Sequence, residues 1–316
     1  MYDLIVSGYV SMDRVVKLEQ AAHPGKTSII SDKSATAIHY GGCGMNVGVA
    51  LSKLQKNVLP LIRVGDDYEE TGYKDFLAKT GMDTSHIKRI PNEKTSYAYL
   101  IENPDKEHIT LFYPGAMDEK YAQTYQDVPF DKARCALMTV GSQKDNAAYL
   151  RMLKTHNVPL VFGMKMDEEA FPKPFLEEIL RYAKIVFMNA TEAKSLCDLF
   201  HLSNIEELFE FNNVEALIIT EGAQGSTCLL KGKSGIRRER VKAARPKILK
   251  DTSGSGDAYI AGFLYGYLEG KELHTCAELG SVTASFIIEE VGCTKNAPSI
   301  EALSKRHQEQ FKEETS

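Results

Sequence analysis

The stretch DTSGSGDAYIAGF, residues 251–263, places two glycines around a serine and a carboxylate, Asp257, directly after them. Ala258, Tyr259, Ile260, Phe263 and Leu264 follow with the spacing of a buried helix, so Gly254, Ser255 and Gly256 fall at its N-terminus. Backbone N–H groups there lack intrahelical partners, and the helix dipole is positive. Glycines let a ligand approach without a Cβ in the way, which is the physics of an anion hole. If those amides hold a migrating phosphoryl group, a carboxylate one step along can take the proton from an attacking hydroxyl. The positive helix end favours the ionised form that a base requires. Taken alone, the stretch admits a plainer reading in which Asp257 only charges the first helical turn.

Two other phosphate signatures fail on spacing. Gly232-Lys233-Ser234 would need a glycine at 227 to make a P-loop, and Thr227 stands there. In GGCGMNVG, Val47 occupies the third glycine position of the dinucleotide fingerprint.

Gross composition narrows the classes further. The 316 residues are 43% apolar and 26% charged with a net charge of −5, and the absence of a basic block argues against a nucleic-acid surface. No apolar run approaches the ~18 residues of a membrane span. MYDLIVSGYV reads as a first strand rather than a signal peptide. Six cysteines without CxxC spacing read as reduced thiols in a cytoplasmic protein, with neither zinc site nor disulfide frame. The eight histidines are dispersed, and His39 and His108 read as structural or exposed.

The elements that must position Asp257 follow from hydrophobic pattern. Near-continuous apolar runs (YDLIVSGY, VLPLIRVG, CALMTVG, VPLVFGM, KIVFMN, VEALIIT) predict strands buried on both faces. Between them lie helical patterns: MNVGVALSKLQ, YEETGYKDFLAKTG, NAAYLRMLKTH, PFLEEILRYA and TEAKSLCDLF, with two further helices near 255–268 and 274–289. This alternation predicts an α/β fold, a central mostly parallel sheet between two helical layers. Segments 14–40 and 94–113 break the rhythm with alternating polarity and no intervening helix. They predict a small antiparallel sheet, either ordinary surface hairpins or a lid over a site on the main sheet. With no linker or repeat, one domain over 1–316 plus this lid is expected.

DTSGSGDAYIAGF resembles the C-terminal signature of the ribokinase-like (PfkB) kinases, D-T-x-G-A-G-D before an apolar helix, with Ser255 in place of alanine. GGCGMNVGVALSKL (41–54), VGDD (64–67), NATE (189–192) and TEGAQG (220–225) resemble further family motifs in family order. The resemblance implies a three-layer ribokinase-like fold and an ATP-dependent kinase acting on a hydroxymethyl group. Asp257 would be the base, with Gly254, Ser255 and Gly256 as the anion hole. Asp13, Gly41, Gly42 and Asn46 would hold substrate hydroxyls. Asn189 and Glu192 would organise Mg2+ and the ATP phosphates through water, and Thr220, Gly222 and Gly225 would line the ATP cleft. A monovalent cation (K+) would sit near Asp251 and Thr252. Each residue keeps a bland counterpart: Asp13 a turn, Asn46 a helix cap, Glu192 a first-turn carboxylate, and Gly222 and Gly225 a hairpin.

LFYPGAM (111–117) resembles a segment of bacterial adenosine-kinase-like members, which would set Phe112 against a nucleobase, aided by Tyr97 or Tyr99. The other reading packs Phe112 under the lid. An aromatic would be wanted where Ala98 stands. A sugar or sugar-phosphate acceptor is the alternative, the latter calling for a basic residue such as Lys26, Lys33 or Arg63. A catalytically inactive ligand-binding relative is a further alternative, although the base and the anion-hole glycines are all present. The partner is thus a small molecule, and the assembly either a monomer or a homodimer through the lid, whose edge strands would otherwise be unpaired.

Overall fold

A computed structural model describes the chain except residues 32, 106–107, 212, 233–234 and 313–316. Lys233 and Ser234 of the rejected P-loop-like stretch, and three residues of the two lid segments, therefore lie outside the described residues. The chain begins with β1 (Tyr2–Ser7), β2 (Ser11–Lys17), β3 (His39–Gly41), α1 (Cys43–Lys53), β4 (Val58–Leu61), β5 (Arg63–Val64) and α2 (Tyr73–Ala78). Then come β6 (Lys88–Arg89), β7 (Tyr97–Glu102), β8 (His108–Tyr113), β9 (Ala133–Met138), α3 (Gln143–His156), β10 (Leu160–Gly163) and α4 (Lys173–Tyr182). The last part holds β11 (Ala183–Asn189), α5 (Ala190–Phe200), β12 (Ala216–Thr220), β13 (Ser226–Gly232), β14 (Gly235–Val241), α6 (Ser255–Leu268), α7 (Leu273–Ile287) and α8 (Ile300–His307).

Eight strands form the main sheet in the order β14-β13-β12-β11-β10-β9-β1-β4. It is parallel from β4 to β12, and only β13 and β14 join antiparallel. Successive strand residues alternate between two cores, as side chains of a pleated strand must. Leu4, Val6, Ile185 and Phe187 pack with α1 and α6 on one face. Ile5, Val186 and Met188 pack with α3, α4 and α5 on the other. The predicted three-layer α/β/α arrangement is thus present, and the apolar runs read continuous because both faces are buried.

The lid is a second sheet of four strands, β3-β2-β7-β8. Here the structure departs from the expectation for residues 14–40. Between β2 and β3 the chain is mostly irregular, with one bridge from Leu18 to Ile30 and a short helical turn at Lys33–Thr36. β2 also pairs with β7 in parallel, so the lid is mixed rather than purely antiparallel. The helix expected over 68–81 shrinks to α2, because Gly72 at its N-cap is left-handed (φ 76°) and cuts the helical pattern there. VLPLIRVG breaks into β4 and β5, and β5 leaves the main sheet to pair with β6. α8 was not anticipated.

Candidate active site

The site gathers where the lid meets the C-terminal ends of the parallel strands. Gly42 caps α1 at φ 101°, where a Cβ would overlap the carbonyl oxygen of Tyr9. That glycine turns the chain from β3 straight into α1. Asn46 in the first turn of α1 donates from Nδ2 to Asp257 Oδ2 at 2.7 Å, joining α1 to α6. Its side chain makes no cap bond, so the helix-cap reading of Asn46 fails, and its buried Oδ1 has no protein partner. Asp13 lies within β2, not in a turn. Its Oδ1 accepts from Ser11 Oγ, and a Cβ on Gly41 would come within 2.7 Å of Oδ2. Gly41 thereby leaves room for that carboxylate. Burial raises Asp13 above the usual carboxylate range, opposed by the Ser11 hydrogen bond.

Asp257 stands in the first turn of α6, as the helical pattern predicted. Gly254 caps that helix in the left-handed region, φ 72°, with Cys293 so close behind that a Cβ would fall 2.6 Å from it. The Ser255 N–H is already taken, donating to the Thr252 carbonyl at 3.2 Å. Among the described residues the N–H groups of Gly254, Gly256 and Asp257 have no protein acceptor. Nothing lies within 4 Å of where a Gly256 Cβ would be. The helix mouth therefore opens onto free space with unpaired donors. Burial pushes Asp257 up to about 6, opposed by the hydrogen bond from Asn46, the charge of Lys165 and the Cys43 thiol. The carboxylate remains mainly ionised at neutral pH and is a stronger base than an exposed aspartate. Cys43, pushed up to about 12 by burial, stays a neutral thiol.

A cleft of about 220 Å³ runs from Asp257 and Gly256 past Lys165 to Asn189, Glu192 and Thr220. Asn189 and Glu192 form a capping box at α5. Asn189 Oδ1 accepts from the Glu192 N–H, and Glu192 Oε2 accepts from the Asn189 N–H, both at 2.8 Å. The structural role is thus real, and it also fixes the carboxylate at the cleft wall. Burial raises Glu192 above its ordinary value. Thr220 ends β12 in the same cleft, whereas Gly222 and Gly225 form the turn between β12 and β13, outside the cleft lining. Asp251 spends both carboxylate oxygens on the amides of Ser253 and Gly292, at 2.9 and 3.0 Å. With Thr252, it borders a second hollow of about 440 Å³ whose other wall includes lid residues Val15, Lys17, Leu100 and Glu102.

A family model of the pfkB carbohydrate kinases matches residues 1–300. The chain belongs to the pfkB family. It is a kinase, an ATP-binding phosphotransferase with an alcohol acceptor. Over 301 residues it is 29% identical to the nucleoside kinase of Methanocaldococcus jannaschii, covering 95% of this chain and 94% of that one. It is 25% identical to the ribokinase of Haemophilus influenzae, covering 94% and 95%. A crystal structure of the Methanocaldococcus jannaschii nucleoside kinase superposes with a TM-score of 0.85 at 27% identity, covering 98% of this chain and 99% of that chain.

Within this pfkB kinase, lid register sorts the aromatic residues. Asp13, Ala98 and Phe112 are cross-strand neighbours, so their side chains share one lid face. Phe112 is 40% exposed, and its ring lies 4.9 Å from Tyr9. Tyr97 and Tyr99 fall on the opposite face and pack edge-on against each other, which removes both as helpers of Phe112. Alternation along β7 carries the reason: flanking Ala98 puts both on the other side. Ala98 sits between Asp13 and Phe112 and is buried. Arg63 is buried, donating from Nη1 and Nη2 to the two Asp145 oxygens at 2.6 and 2.7 Å, so it is unavailable to a substrate phosphate. Sequence reasoning missed Ser11, Cys43 and Lys165. No spacing rule singles out a lysine two residues beyond a strand, and Cys43 reads in sequence only as one of six reduced thiols.

Proposed function

We propose that this pfkB kinase transfers the γ-phosphoryl group of ATP to the hydroxymethyl group of an unphosphorylated nucleoside, adenosine-like in its base. The observation that carries the reading is the Asn46–Asp257 hydrogen bond. It holds a carboxylate raised to about 6 beside unpaired helix-end amides, close to the Asp13 carboxylate. Asp13 and the unpartnered Asn46 Oδ1 accept from acceptor hydroxyls. Asp257 takes the proton of the attacking hydroxyl, and the Gly254 and Gly256 amides receive the phosphoryl oxygens.

Two observations favour an unphosphorylated nucleoside. Phe112 presents a ring on the lid face that carries Asp13, and stacking tolerates any base. Arg63 is sequestered, which removes one of the basic residues that a sugar phosphate would call for.

Among the described residues no three His, Cys, Asp or Glu side chains cluster as metal ligands. Glu192 has one carboxylate oxygen beyond its capping bond, which fits Mg2+ carried mainly by ATP phosphates and reached through water. Such an ion would offset phosphate charge. The donors expected to hold a monovalent cation are engaged within the protein, Asp251 on two amides and the Thr252 carbonyl on Ser255, and no step is assigned to that ion.

The test is an ADP-release screen of adenosine, other nucleosides, ribose, fructose and fructose phosphates. A nucleoside should give the highest kcat/KM. A preference for free or phosphorylated sugars would replace the acceptor assignment, and binding without ADP formation would mark an inactive relative.

A further inference from the structure

Lys165 lines the cleft, and among the described residues its side chain has no hydrogen-bonding or ion-pairing partner. It follows β10 by two residues, at the edge where the parallel strands end. Gly163, the last residue of β10, packs against Ile260, one helical turn beyond Asp257, with 3.2 Å between its would-be Cβ and Ile260 Cδ1. The strand end therefore faces the first turns of α6, and Lys165 lines the cleft with Gly256, Asp257, Asn189 and Glu192. The side chain is exposed, and among the described residues it makes no hydrogen bond or ion pair. Its charge nonetheless reaches Asp257, Glu192, Asp13 and Cys43, favouring the ionised form of each. A flexible ammonium facing several carboxylates without settling on one is available for a more highly charged ligand.

We infer that Lys165 is a catalytic residue whose Nζ binds the γ-phosphate oxygens of the donor and follows the phosphoryl group as it moves to the acceptor. This rests on the kinase reading above. In the step, the acceptor oxygen forms a bond to γ-phosphorus while the bond from γ-phosphorus to the β,γ-bridging oxygen breaks. The hydroxyl proton passes to Asp257, and ADP departs with the bond electrons. Negative charge spreads over the three equatorial oxygens throughout, and a mobile cation can accompany it where fixed helix-end amides serve one end only.

The experiment compares the wild type with Lys165→Met and Lys165→Arg. Titration calorimetry with ATP and with ADP is run beside acceptor-saturated turnover. The expected result for K165M is a kcat lower by about 100- to 1,000-fold. ATP affinity should fall at least about tenfold while ADP affinity stays within about twofold, since only ATP carries the γ-phosphate. K165R should recover at least about tenfold of the lost kcat, because it restores the charge. A K165M kcat within about threefold of wild type, or equal weakening of ATP and ADP, would overturn the assignment. A wild type most active on a sugar would replace the nucleoside reading, and the K165M comparison on that acceptor, with the ATP–ADP comparison, would still decide Lys165.

Discussion

Replacing Asp257 by asparagine should abolish turnover and stabilise the protein. In the wild type, raising this carboxyl from 3.8 to about 6 means that the folded state penalises its ionised form. At 1.36 kcal/mol per pH unit the penalty is about 3 kcal/mol. Asparagine is nearly isosteric with the neutral acid and still accepts from Asn46 Nδ2, and the charge assistance which that bond gives the carboxylate is already contained in the shift. The expectation for Asp257→Asn is a gain of up to about 3 kcal/mol at pH 8. The sign follows from the raised folded value: the wild-type penalty is complete above pH 6, declines as pH falls, and vanishes below 3.8. The gain should therefore be present at pH 8 and nearly absent at pH 4. Urea unfolding at the two pH values measures it, and coupled ADP release measures kcat, expected to fall by at least about 100-fold. A variant that keeps a tenth of wild-type kcat would refute the base assignment. One that is less stable than wild type at pH 8 would refute the claim that the fold holds this carboxylate at a cost.

Three further outcomes follow from the geometry. Asn46→Ala removes the hydrogen bond that holds Asp257 down, so the acid limb of the kcat–pH profile should move to higher pH; an unmoved limb would show that Asn46 does not set the base. Phe112→Ala should raise KM for a nucleoside by about 5- to 150-fold, as expected for one lost stacking partner, with little change in kcat and none in KM for ribose. Arg63→Met leaves the Asp145 carboxylate buried without its cation and should destabilise by about 3–5 kcal/mol in denaturant unfolding, without altering acceptor preference in the residual active protein.

The main sheet and its two helical layers were legible because their information is local. Val186 and Met188 alternate with Ile185 and Phe187 in a run that only a doubly buried strand would carry. The lid was legible in part. β7 and β8 showed their alternation, whereas the chain between β2 and β3 kept a polar–apolar pattern without a partner strand to pair with. The parallel pairing of β2 with β7 joins residues about 85 positions apart and leaves no trace in either segment. The glycine motifs marked where a Cβ cannot fit, at Gly42 and Gly254, and the helix start that carries Asp257 was legible from the apolar residues after it. Tyr97 and Tyr99 were misread because a strand's facing is fixed by register rather than composition. Lys165 escaped because its setting is three-dimensional: only the fold brings it to the cleft wall beside Gly256, Asp257 and Glu192.

The contact between Asn46 and Asp257 spans 211 positions of sequence. A polypeptide truncated between Glu192 and Ser255 would possess Asp13, Asn46 and the Glu192 wall, but neither the Asp257 carboxylate nor the helix-end amides beside it. On the mechanism proposed above such a fragment would not transfer phosphate, and activity would arrive only as the final helices dock.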